Sequence, residues 1–152
     1  MADDKPAIGM SSDHAGIRLK ALLKDYVESL GFTVLDLGPN SDASVDYPDY
    51  GYKLAAAIAE GKAETGIAVC GSGIGISMAL NRHPHIRCAL VTDALMARLA
   101  REHNDANVIA LGDRLIGDET ARDCVRIFLE TEFAGGRHQR RVNKLANPVL
   151  QV

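Results

Sequence analysis

The chain has 152 residues, 47% of them hydrophobic and 24% charged, and a formal net charge of −3. This composition is typical of one globular domain, and no apolar run reaches the ~20 residues of a membrane span. The acidic balance argues against a nucleic-acid or anionic-lipid partner. Three cysteines and an N-terminus without a basic region indicate no disulfide framework and no secretory signal, and so a cytoplasmic setting.

Short apolar runs alternate with amphipathic stretches, as in repeated strand–helix units. The pattern predicts strands at 7–11, 32–37, 66–70, 86–91 and 108–111. It predicts helices at 14–30, at about 49–60, from the glycine turn at 71–75 to about 81, from a cap at 92 or 93 to 102, and at 120–133. Five short buried strands separated by helices predict a three-layer α/β/α, Rossmann-like domain with a five-stranded parallel sheet, spanning residues 1–152. The polar tail, about 135–152, predicts a short helix that packs on a neighbouring subunit.

Ligands of parallel sheets bind beyond the carboxyl ends of the strands, so the residues after each predicted strand are the candidates for chemistry. Asp13 and His14 follow the first strand, Cys70 ends the third, and Arg114 follows the fifth. His103 ends the helix before the fifth strand, where a histidine is also favoured by the helix dipole for structural reasons alone.

The turn after the third strand carries three glycines, in the run Gly71, Ser72, Gly73, Ile74 and Gly75. Successive backbone N–H groups in such a turn can bind an anion. The run lacks the ending of a Walker loop, and its third glycine comes one residue early for a dinucleotide fingerprint. From spacing alone it is either a phosphate or nucleotide cradle or a turn that requires small residues.

Cys70 directly precedes this turn, where the thiolate is favoured over the thiol. A thiolate base beside N–H groups that stabilise an oxyanion is the arrangement that enolisation requires. A buried structural cysteine is the alternative, and it is the interpretation given to Cys88 and Cys124, which do not follow a predicted strand.

A short basic stretch near the C-terminus favours a small anionic ligand. Arg137 and Arg141 are four residues apart, so on a helix they share a face and could bind one phosphate. Each arginine, taken singly, could also be an ordinary solvated charge.

Five motifs occur in order between residue 8 and about residue 142: SDHAG at 12–16, DYP at 46–48, CGSGIGIS at 70–77, HNDANV at 103–108 and GGRHQRRV at 135–142. Together they closely resemble type B ribose-5-phosphate isomerase. That family also includes allose-6-phosphate isomerase and the subunits of galactose-6-phosphate isomerase. The galactose-6-phosphate subunits generally lack the His-Asn pair and the Gly-Gly-Arg-His tail, both of which are present here.

The resemblance implies an isomerase of ribose 5-phosphate and ribulose 5-phosphate, without cofactor or metal, whose active site is shared between the subunits of a homodimer or homotetramer. It implies catalytic roles for Cys70 as base, His103 in opening the furanose ring, Ser72 in the anion hole and Asp13 at the ring oxygen or hydroxyls. Some relatives use a glutamate as base, but Ser77 stands in that region here.

The other roles that the resemblance implies are binding roles. Substrate contacts are expected from Tyr47, Gly71, Gly73, Ile74, Gly75 and Asn104. Phosphate contacts are expected from His14, Arg114, Arg137, His138 and Arg141. Two alternatives stay open: an isomerase of allose 6-phosphate, and a sugar-phosphate or nucleotide-binding module without catalysis, which would need neither Cys70 nor His103.

Overall fold

Five parallel strands make one sheet in the computed structural model, which describes residues 6–150. The strands are β1 (Ala7–Ser12), β2 (Val34–Asp36), β3 (Ala63–Cys70), β4 (Cys88–Leu90) and β5 (Val108–Gly112). Their order across the sheet is β2-β1-β3-β5-β4. The predicted α/β class and five-stranded parallel sheet are confirmed.

Helices cover both faces of this sheet. They are α1 (Ile17–Ser29), α2 (Tyr47–Ala59), α3 (Ile74–Leu80), α4 (Ala94–Asn104) and α5 (Asp118–Glu130). A sixth helix, α6 (Arg137–Leu145), packs against α4. One buried core joins the sheet to α1, α4 and α5, and a second joins it to α2 and α3. Strands buried on both faces explain the nearly continuous apolar runs of the sequence.

The element boundaries differ from the predictions in ways that have local causes. A 3₁₀ turn (His14–Gly16) replaces the first turn of the predicted helix, because the Asp13 side chain caps it. The α2 helix begins at Tyr47, two residues early, with Pro48 in its first turn, where the missing N–H is not needed. The α4 helix continues through Asn104, so His103 lies in its last turn.

The predicted tail helix exists as α6. Its Val142 is buried and lies on the side that packs against α4. Apolar residues near the end of the described chain are exposed, with Val149 at 79% and Leu150 at 96%. No helix among residues 6–150 has the length and apolar composition needed to cross a bilayer.

Candidate active site

A cavity of about 270 Å³ opens at the carboxyl edge of the sheet. It forms because β1, β3 and β5 are neighbours, so the loops that follow them meet at one edge. The residues predicted for the site that line it are Asp13, His14, Tyr47, Cys70, Gly71, Ser72, Gly75 and Arg114. Together with Gly73 and Ile74 of the same turn, we call this set the carboxyl-edge cluster.

Asp13 is held at the cavity wall by the turn that it caps. It is 7% exposed, and its Oδ1 accepts hydrogen bonds from the N–H groups of Ala15 at 3.0 Å and Gly16 at 3.1 Å. Gly16 packs so closely on β3 that a Cβ there would lie 2.6 Å from the Val69 carbonyl oxygen. The carboxylate is therefore fixed relative to Cys70, the next residue of β3.

His14 is fixed by the loop that precedes α2. Its Nδ1 lies 3.1 Å from the Val45 amide nitrogen and 3.2 Å from the Val45 carbonyl oxygen. In the tautomer in which Nδ1 accepts from the Val45 N–H, Nε2 carries the proton and can donate to an anion. Val45 was not found from the sequence, because an apolar residue in a polar loop carries no signal of a contact 31 positions away.

Cys70 is 4% exposed, and the Gly73 N–H donates to its Sγ at 3.1 Å. A donor to sulfur stabilises the negative charge of a thiolate. The bond requires the chain to turn back on itself, and Gly73 does so with a φ of +77°, which glycine adopts without strain. The predicted pairing of a thiol with the glycine turn is thus present in the geometry.

Two further glycines allow close packing around the turn. A Cβ on Gly112 would lie 2.5 Å from the Ser72 carbonyl carbon, and one on Gly75 would lie 2.7 Å from the Tyr47 ring. Tyr47 is 42% exposed and so remains open to a ligand. These contacts explain why glycine ends β5 at position 112 and lies in the first turn of α3 at position 75.

Arg114 lies over the turn from the side of β5. A Cβ on Gly71 would be 3.4 Å from the Arg114 guanidinium. The backbone N–H of Arg114 donates to the Gly71 carbonyl oxygen at 3.0 Å. The loop is anchored by Asp113, which accepts from Arg18 at 2.7 Å. The cavity-lining Leu115 and the anchor Arg18 were both missed, since neither belongs to a motif.

The remaining predicted residues lie together elsewhere. We call this set the amino-edge cluster: His103, Asn104, Arg137, His138 and Arg141. The rings of His103 and His138 stack at 4.4 Å between centroids and 14° between planes. Burial, and then the charges of His103, Arg137 and Arg141, lower the pKa of His138. Arg137 and Arg141 are exposed, one turn apart on α6.

Within one chain the two clusters stand at opposite edges of the sheet. In the register of β3 and β5, Cys70 pairs with Gly112, the last residue of β5. Cys70 therefore lies four residues, or ~13 Å along the strands, from the level of Val108, where β5 begins. The α4 helix runs back to the amino edge of the sheet, so His103 in its last turn lies five residues before Val108, the first residue of β5. The chain alone does not bring His103 to Cys70.

The other two cysteines have no comparable surroundings. Burial raises the pKa of the Cys88 thiol to about 12 and that of Cys124 to about 11, with Asp93 and Asp123 adding to the second shift. Cys88 opens β4 rather than following a strand. Both fit the structural role predicted for them.

Two other features bear on ligands. A larger cavity of about 460 Å³ lies near the start of β4 and includes Asn104, but its walls are mostly apolar and it contains no member of the carboxyl-edge cluster. Residues 6–150 contain no group of three or more His, Cys, Asp or Glu side chains arranged to hold a metal ion.

Comparison with known proteins places the chain in a family. Residues 8–145 match the family model described as Ribose/Galactose Isomerase. Ribose-5-phosphate isomerase B of Escherichia coli (strain K12) is 39% identical over 138 residues, which are 91% of this chain and 93% of that protein.

Solved structures agree. Ribose-5-phosphate isomerase B of Clostridium thermocellum is 48% identical with a TM-score of 0.90, covering 92% of this chain and 95% of that one. The enzyme of Mycoplasma genitalium, with bound ribulose-5-phosphate, is 39% identical with a TM-score of 0.87, covering 92% and 93%. Sequence and fold therefore agree over nearly the whole length, and the chain belongs to the ribose/galactose isomerase family.

Proposed function

We propose that the chain interconverts ribose 5-phosphate and ribulose 5-phosphate, with Cys70 as the base. The observation that carries the assignment is the 3.1 Å hydrogen bond from the Gly73 N–H to Cys70 Sγ, inside a cavity that also holds Asp13, His14 and Arg114. The Escherichia coli and Clostridium thermocellum relatives are ribose-5-phosphate isomerases, and the Mycoplasma genitalium relative was solved with ribulose-5-phosphate.

The thiolate removes the proton on C2 of the open-chain aldose, which leaves a cis-enediolate. The same proton returns from the thiol to C1, while the hydroxyl proton on O2 passes to O1, and ribulose 5-phosphate results. The enediolate carries a full negative charge, which backbone N–H groups of residues 71–75 would stabilise, with Ser72 contributing at the same turn. Ile74 belongs to this turn, where its N–H donates to Ser72 Oγ at 3.2 Å.

The ring of ribose 5-phosphate must open before this step. We assign ring opening to His103 and the stabilisation of the enediolate to Asn104. Asp13 and Tyr47 would contact the ring oxygen or the hydroxyls. His14 and Arg114 would hold the phosphate from one side, and Arg137, Arg141 and His138 from the other. Remote binding of the phosphate positions the sugar so that a modest base suffices.

We further propose that two copies of the chain share each site. The support is geometric: Cys70 stands at one edge of the sheet, and the chain carries its own His103 to the other. A two-fold partner that brings its amino-edge cluster to the carboxyl-edge cluster of the first copy would complete both sites at once. The state is a homodimer or a homotetramer built from such pairs.

Three other assignments follow from this arrangement. Residues 1–152 form one isomerase domain, and the tail, about 135–152, packs on the partner, which accounts for the exposure of Leu145, Val149 and Leu150. Three free cysteines fit a reducing, cytoplasmic compartment.

The test is steady-state conversion of ribose 5-phosphate by purified protein in EDTA. We expect full activity in the wild type and a loss of about 10²–10⁴-fold in Cys70→Ala. Cys88→Ala is the matched control, because burial raises the pKa of its thiol and it lies outside the cavity that holds Cys70. We expect its activity to stay close to that of the wild type.

Retained activity in Cys70→Ala would show that another group is the base. Absence of activity on ribose 5-phosphate, with turnover of allose 6-phosphate, would transfer the mechanism to that substrate. Ligand binding without turnover of either sugar, unchanged by Cys70→Ala, would favour the non-catalytic binding module.

A further inference from the structure

The C-terminal end of α4 has an unusual backbone. Asp105 follows His103 and Asn104 directly and adopts φ 46° and ψ 45°. It is the single residue other than glycine with a positive φ in the part of the chain that the structure describes. Left-handed residues that are not glycine are uncommon, although Asp and Asn adopt this region more readily than most.

Two arginines hold Asp105 in this conformation. Arg101 donates to Asp105 Oδ1 at 2.9 Å, while Arg87 approaches Oδ2 at 3.4 Å and donates through Nε to the Asp105 carbonyl oxygen at 2.8 Å. The side chain of Arg101 is 17% exposed and that of Arg87 is 23% exposed. Their charges are therefore less screened than those of an ordinary surface pair.

The same arginines reach the neighbouring segments. Arg101 donates to the carbonyl oxygens of Ala106 at 2.6 Å and Thr131 at 3.1 Å. The Ala134 N–H donates to the Glu102 carbonyl oxygen at 3.1 Å. The end of α4 and the connection that leads into α6 are thus tied together, next to the stacked pair of His103 and His138.

We propose that Asp105 is a positioning residue for the reaction: clamped by Arg87 and Arg101, it fixes the end of α4 that presents His103 to the substrate. The inference rests on the proposed function, in which His103 opens the sugar ring. Asp105 itself contacts no substrate. It acts by holding the last helical turn and its imidazole in one orientation.

The experiment compares Asp105→Gly and Asp105→Asn. Glycine keeps the positive φ without strain but removes the carboxylate, whereas asparagine tolerates the same backbone and keeps one acceptor oxygen. We expect both to fold, with kcat/KM lowered about 10-fold to 100-fold in Asp105→Gly, the effect of a misplaced group, and largely recovered in Asp105→Asn. Glu130→Gln, which breaks the exposed pair of Glu130 with Arg126, should change nothing.

A second comparison separates positioning from general damage. When His103 is already replaced by alanine, adding Asp105→Gly should lower kcat/KM by less than about 3-fold, because its effect passes through the missing imidazole. An equal loss in both backgrounds would overturn the proposal, since it would show a structural effect independent of His103.

A third measurement does not depend on turnover. The ring resonances of the histidines are followed by NMR in the wild type and in Asp105→Gly. We expect the His103 resonance to move and that of His14 to stay, and an unmoved His103 resonance would overturn the clamp. If the wild type had no isomerase activity but Asp105→Gly still moved the His103 resonance, the proposed function would be refuted and the clamp would remain supported.

Discussion

The carboxyl-edge cluster and the amino-edge cluster are built in opposite ways. The first consists of loops after neighbouring strands that hydrogen-bond to each other, with the Asp113 N–H donating to the Cys70 carbonyl oxygen at 2.9 Å. The second sits on the ends of two helices, with Arg137 and Arg141 exposed. Proton transfer needs fixed geometry, which a sheet edge supplies. The amino-edge cluster is held instead by side-chain contacts at the end of α4, from Arg87 and Arg101 to Asp105, and in our proposal it completes its site on the partner.

The strongest test of this comparison is subunit complementation. Cys70→Ala and His103→Ala, each nearly inactive, are mixed after reversible dissociation. If each site takes one cluster from each copy, half of the dimers are mixed and half of their sites are intact, so activity returns to about one quarter of the wild type. Relative to a separate variant that has lost about 10²–10⁴-fold, this is a gain of about 25-fold to 2,500-fold.

Activity of the mixture that equals only the sum of the two variants would contradict the shared site. Mixing two samples of Cys70→Ala is the control for the dissociation step and should restore nothing.

The second test concerns the rigidity of the carboxyl-edge cluster. In Gly112→Ala the new methyl group would meet Ser72 backbone atoms at 2.5–2.7 Å, so the anion-binding turn must shift. In urea unfolding we expect a loss of about 1–3 kcal/mol in unfolding free energy. In turnover assays we expect kcat to fall by roughly 10-fold to 100-fold.

Gly117→Ala is the matched control, because its Cβ would meet nothing within 4 Å and its φ of −76° suits alanine. Because Gly117 is the N-cap of α5, where glycine is favoured over alanine, it should cost less than about 1 kcal/mol in unfolding free energy and leave kcat unchanged. Equal effects of the two substitutions would show that the close approach of Gly112 to Ser72 is unimportant.

The smallest expected effect comes from the ion pair behind the carboxyl-edge cluster. Lys20, 4% exposed, donates to Asp36 at 2.6 Å and to the Pro39 carbonyl oxygen at 3.2 Å. Lys20→Met removes one partner of a largely buried pair and should cost about 2 kcal/mol at neutral pH, below the usual range because Asp36 stays partly hydrated. The control is Lys62→Met. Lys62 pairs with Glu60 at the same 2.6 Å, but the two side chains are 64% and 55% exposed, so the loss should be less than about 0.5 kcal/mol.

This pair also predicts a pH dependence. Burial alone would raise the pKa of Asp36, but hydrogen bonds from Lys20 and Gly38 and the charges of Lys20 and Lys24 hold it below its ordinary value of 3.8. The contribution is therefore complete above that value and is lost as the pH falls through the folded-state pKa. The difference between wild type and Lys20→Met should shrink below about pH 4 in urea titrations, and a constant difference would contradict the ion pair.

Much of the fold followed from local pattern. Apolar runs of four to six residues bounded by turns indicated each strand, and alternation with helices required a parallel sheet. Cys70, Asp13 and Arg114 could be singled out because parallel strands deliver their following residues to one edge. Boundaries differed from the predictions where packing decided them, as at β4, where the predicted strand at 86–91 is reduced to Cys88–Leu90.

The amino-acid sequence was enough to assign the class of the fold, the motifs and the residues that follow the strands, because these depend on the order of residues along the chain. The three-dimensional arrangement was needed to show that β1, β3 and β5 are neighbours and that Val45 contacts His14. It was also needed to show that His103 and Asp105 lie at the edge opposite Cys70. Those relations join residues far apart in sequence, and they depend on strand order and helix direction, which local periodicity does not encode.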